Sequence, residues 1–102
     1  MNIEKFTQKA QTAIASSQEY AVRFDNQEIE PEHLNYSLVK QEDGLISKLL
    51  GYMGVDVALY AKDIEDVLEN LPKVYGGSAN NYISRRLNQV VINAQDESKR
   101  FK

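Results

Sequence analysis

Cysteine and tryptophan are absent from these 102 residues, histidine occurs once and proline twice. Without cysteine there is no disulfide and no thiolate metal site, and one histidine is too few for a His-rich one. No apolar run approaches the ~20 residues that a membrane span needs. The start, MNIEKFTQKAQ, carries charge and glutamine where a signal peptide would carry its apolar stretch. These absences predict a soluble, cytoplasmic domain with no metal and no membrane partner. A net charge of −3 argues against a general affinity for nucleic acid. What remains, 42% hydrophobic and 26% charged, suits one small domain with a single modest core.

The charge is unevenly spread. Residues 25–72 hold eleven acids and three bases, whereas residues 73–102 hold six bases and two acids. Solvated helix faces that complement one another account for this asymmetry, and an acidic binding surface is the sharper alternative.

Apolar residues follow helical spacing almost throughout. Phe6, Ala10, Ala13, Ile14, Ser17, Ala21 and Phe24 step by 4, 3, 1, 3, 4 and 3, one stripe of an amphipathic helix. Thr7 is a good N-cap for it, and the spacing predicts a helix over 8–24, stopped by Asp25-Asn26. Pro31 suits the first position of a second helix, 31–41, with Leu34, Tyr36 and Leu38 inward. Asp43-Gly44 breaks it. A short third helix, 45–53, presents Leu45, Ile46, Leu49, Leu50 and Met53, and Gly54 closes it in a left-handed cap. Asp56 caps a fourth, 57–71, ended by Pro72. Residues 73–82, KVYGGSANNY, read as a flexible linker. Ser84 caps a fifth helix running from 85 to the end. No segment alternates with a period of two, so the fold class is all-α.

Shifting the chain by 77 residues superposes it on itself. Ile83, Leu87, Val90, Val91, Ala94, Ser98 and Phe101 reproduce the first helix's stripe, and Ser84 falls on Thr7. Gln18 matches Gln95, and Arg23-Phe24 matches Arg100-Phe101. The chain therefore divides into a first repeat (1–72), a linker (73–82) and the first helix of a truncated second repeat (83–102). Such a truncation is expected to leave part of an apolar stripe uncovered.

FTQKAQTAIASSQEYA, then IEPEHL, DGLISKLLGYMGVD and LPKVYG, in this order and spacing, resemble the amino-terminal domain of the Clp ATPases, and LPKVYG is most similar to the ClpB-type disaggregases. The resemblance covers essentially the whole chain. It implies an all-α pseudo-repeat with about five helices present of an expected eight. It also implies a client-binding domain that engages exposed apolar segments of misfolded or aggregated proteins. The parent implied is a homohexameric AAA+ ATPase that uses ATP and Mg. The alternative implied is a ClpC- or ClpA-type unfoldase working with a protease, whose domain docks adaptor proteins or phosphorylated arginine.

Nothing catalytic is legible in the segment itself. GxxxxGK[ST] is absent, because none of the glycines at 44, 51, 54, 76 and 77 leads into Gly-Lys-Ser/Thr. His33 beside Glu32 reads better as a helix-start histidine bonded to backbone than as an acid–base pair. Six tyrosines without a basic groove read as core and rim rather than as a stacking platform. Thr7 and Ser84 open helices whose free N–H groups favour anions; simple helix capping accounts for both residues, and the sharper alternative is that with Phe6 and Ile83 they border a candidate client groove. By the ClpC resemblance, Glu32 joins the two caps in contacting an adaptor or a phosphoarginine guanidinium, which needs a negative partner.

Overall fold

The structure is a computed structural model that describes residues 7–75 and 81–100, the side chain of Ser98 excepted. Five helices form the body: α1 (Gln8–Arg23), α2 (Pro31–Lys40), α3 (Leu45–Tyr52), α4 (Val57–Glu69) and α5 (Arg85–Arg100). Their boundaries lie close to those read from periodicity. The largest difference is α4, which stops at Glu69, with Asn70 as its C-cap, two residues before the sequence places its end.

The caps are chemical. Thr7 Oγ1 accepts from the Ala10 N–H at 3.2 Å, Asp56 Oδ1 from Leu59 at 3.1 Å, and Ser84 Oγ from Leu87 at 3.1 Å. The Thr7 and Ser84 bonds are equivalent at the 77-residue offset. Stops are equally local: Asp25 (φ 58°) and Asp43 (φ 54°) turn the chain left-handed after α1 and α2, and Gly54 (φ 81°) does so after α3, as expected.

One feature escaped the periodicity. Glu28–Ile29 (β1) and Tyr82–Ile83 (β2) form a two-residue parallel ladder, pairing Glu28 with Tyr82 and Ile29 with Ile83. Two residues are too few to show alternation, so the all-α reading had no signal for it. The ladder ties the far end of the predicted linker to the segment between α1 and α2. The near end is tied too. Lys73 Nζ donates to the carbonyls of Phe24 (2.7 Å) and Leu68 (3.3 Å), and the Val74 N–H donates to Asp25 (2.7 Å). Residues 76–80 of that linker, with Phe6 and Phe101 of the stripes, lie outside the described residues.

The core has two parts. Tyr36, Val39, Ala61, Ile64 and Leu68 close one between α2 and α4, with Tyr20 and Phe24 from α1 and Ile46 and Leu50 from α3 against it. Tyr20 and Phe24 both meet Tyr36 edge-on, at ring distances of 4.7 and 6.2 Å. Burial, then the nearby Glu65 carboxylate, pushes the Tyr36 phenol up to about 12, so it remains neutral. The second part joins Ala21 and Ile29 to Leu87 and Val91, and so fastens α5. α3 contributes less than its composition suggests: Leu45 and Leu49, like Met53 at its C-cap, face outward, and Ile46 and Leu50 pack inward.

Candidate functional site

His33 sits at the start of α2 and is fully buried. Its Nδ1 accepts from the Glu30 N–H at 2.8 Å, which places the proton on Nε2, 2.9 Å from Asn26 Oδ1. Asn26 passes the connection on: its Nδ2 donates to the Pro72 carbonyl (3.1 Å), and its own carbonyl accepts from Asn81 Nδ2 (2.6 Å). The ring therefore bonds backbone, as the sequence suggests, and no group is left over for acid–base work. Burial holds the imidazole below its ordinary value, against the pull of the Glu30 and Glu32 charges.

Glu32 lies next to it and faces α5. Its Oε2 accepts from Arg86 at 2.9 Å, and the other arm of the guanidinium stands 3.8 Å from Glu30 Oε1. Burial pushes the Glu32 carboxyl up, but the Arg86 bond and charge outweigh this and hold it below the ordinary carboxylate value. Oε1 of Glu30 and Oε1 of Glu32 are buried without a hydrogen-bond partner among the described residues. Arg86 with these two carboxylates, and Lys73 with Glu69 at 3.7 Å, join the basic end of the chain to its acidic middle.

The residues expected to border a client groove are placed differently from one another. Thr7 is exposed. Ile83 is half-buried against Ile29 and Leu87, and Ser84 is buried with its N–H donating to the Ile29 carbonyl at 3.1 Å. Phe6 lies outside the described residues.

A hollow that the sequence did not single out runs farther along the same helices. Ala10 and Ile14 of α1, Leu34 and Leu38 of α2, and Val90, Val91 and Ala94 of α5 enclose about 90 Å³. Every wall side chain is a hydrocarbon. Each lies on a stripe already legible as apolar, but a stripe does not say whether its helix is covered along its whole length. A second cleft, about 150 Å³, opens between the loop after α1 and the end of α4, beside Asn26, Glu28, Pro72 and Tyr82. Among the described residues no cluster of His, Asp and Glu has the composition of a metal site, and no helix is long and apolar enough to cross a membrane.

Comparison with known proteins gives a consistent picture. Residues 5–102 match the family described as the Clp repeat (R) N-terminal domain. The chain is 43% identical over its whole length to the chaperone protein ClpB of Nitratidesulfovibrio vulgaris, and 41% identical to that of Clostridium tetani. It is 36% identical over 99% of its length to ClpB of Clostridium perfringens. The chain spans about 12% of the length of each of these curated relatives.

Proposed function

This chain belongs to the Clp repeat N-terminal domain family, and on that premise we propose that it is the client-binding domain of a ClpB-like disaggregase. The observation that carries the reading is the hollow between α1, α2 and α5. Its walls offer carbon and no hydrogen-bonding side chain, which suits an apolar side chain of an unfolded segment and disfavours a polar one. Such a site binds weakly by itself, and repetition around a homohexameric ring raises the avidity. In this reading the segment binds and is not itself the enzyme. ATP and Mg belong, in this reading, to the AAA+ part of a longer cytoplasmic protein, with residues 1–72 as its first repeat and 83–102 opening its second.

The adaptor- or phosphoarginine-docking alternative rests on Glu32, Thr7 and Ser84. Glu32 is already engaged by the chain's own Arg86, and the Ser84 hydroxyl is buried as a cap. Both facts favour the client reading. An NMR titration of the labelled domain with an unfolded model polypeptide, run beside phosphoarginine, separates the two. The expected result is a set of shifts at Ala10, Ile14, Leu34 and Val90 with the polypeptide alone. Shifts at Thr7, Glu32 and Ser84 with phosphoarginine replace the client reading by the docking one, and no shift with either ligand overturns both.

A further inference from the structure

Both nitrogens of the His33 ring lead to the start of α5. Nδ1 holds the Glu30 N–H at 2.8 Å, and Glu30 directly follows Ile29, which pairs with Ile83 in the ladder. The Ile29 carbonyl accepts from the Ser84 N–H at 3.1 Å, and Ser84 Oγ caps α5 at Leu87. Nε2 donates to Asn26 Oδ1, and the Asn26 carbonyl accepts from Asn81 Nδ2 at 2.6 Å. A third tie is made by charge. Glu30 and Glu32 both face Arg86, in the first turn of α5.

The cluster is short of one donor. Oε1 of Glu30 and Oε1 of Glu32 are buried without a hydrogen-bond partner among the described residues, while Nδ1 carries no proton. A second ring proton sits on Nδ1, where it meets the Glu30 N–H and displaces it. The carboxylates that attract that proton are again Glu30 and Glu32, the two that serve Arg86. The ring is 0% exposed, so water takes neither role.

We propose that His33 is a proton switch for the seating of α5. A second ring proton frees the Glu30 N–H, draws the carboxylates away from Arg86, and so releases residues 81–87 from the turn between α1 and α2. The charges around the ring set where the switch acts. Burial and the Lys73 ammonium keep the ring neutral, whereas Glu30 and Glu32 favour the proton. Burial wins, so the switch lies below the ordinary value of about 6.5.

Coupling of this kind is reciprocal: if the proton loosens α5, loosening α5 favours the proton. Titration of the His33 ring by NMR in the parent and in Leu87→Ala tests it. The expected midpoint moves up in the variant, towards the ordinary value. Ser84→Ala, the milder change, moves it the same way by less. Hydrogen exchange at stepped pH gives a second reading. Protection of the Leu87 and Val91 amides, corrected for the pH dependence of exchange itself, falls by up to about tenfold per pH unit below about pH 6.5. It stays below the protection of Ile64 and Leu68 throughout, and His33→Gln removes the dependence. A ring midpoint that stays put in variants whose α5 amides exchange fast overturns the switch. So does α5 protection that ignores pH while that of Ile64 and Leu68 falls, because the ring then titrates only when the whole chain unfolds. Equal protection of α5 and α4 at every pH overturns it too, since α5 then has no opening of its own.

Discussion

The His33 imidazole is required in its neutral form. Nδ1 can accept from the Glu30 N–H only while unprotonated, and a second ring proton would face that donor in a site with little solvent. The folded value lies below the ordinary one, so between the two the unfolded chain binds more protons, and stability rises with pH. The contribution is fully present above about pH 6.5, the unfolded value, and is lost as pH falls through the folded one. Urea unfolding at about pH 7.5 and about pH 5.5 should therefore give a lower midpoint at the acid end. Since His33 is the only histidine, His33→Gln should flatten that difference. Asn26→Ala should cost about 1–3 kcal/mol at neutral pH, because it orphans the imidazole N–H. The backbone bond of His33 was legible from its place at the start of a helix. Its bond to Asn26 was not, because that contact depends on how the chain bends between α1 and α2.

The helices themselves were legible because each carries its own signals: a stripe, a cap and a breaker. What lies between them was much less so. The β1–β2 ladder, the Lys73 bonds and the Asn81 bond all join positions far apart in sequence through backbone groups that have no residue-type signature. Caps alike in sequence are also unequal in setting. Ser84 is buried and Thr7 is exposed, so water can replace the Thr7 oxygen at the Ala10 N–H but not the Ser84 oxygen at the Leu87 N–H. Thr7→Ala should cost about 0.5–1 kcal/mol, and Ser84→Ala about 1–2 kcal/mol. Chemical denaturation of the two variants gives both values. Equal losses would mean that water reaches the start of α5 as freely as the start of α1.

The molecule as a whole is held by two cores with different reach. The Tyr36–Leu68 core is built from α2 and α4 with flanks from α1 and α3, and contains no residue of α5. α5 depends on the smaller core, in which Leu87 is 2% exposed and is the largest buried side chain it contributes. The two can therefore open separately. Leu87→Ala removes buried carbon and leaves a cavity, a loss of about 2–5 kcal/mol where surroundings do not collapse. Here that loss should fall on α5 before it falls on the rest. Hydrogen exchange should show α5 amides of the variant exchanging much faster than those of the parent, with the amides around Ile64 and Leu68 still protected. Uniform acceleration would instead mean that the two cores unfold as one. The outcome bears on function, because Val90, Val91 and Ala94 form the α5 wall of the apolar hollow. A variant whose α5 opens while α1–α4 stay folded should lose its response to an unfolded polypeptide and keep most of its helix, which ties binding to the seating of α5 rather than to the stability of the bundle.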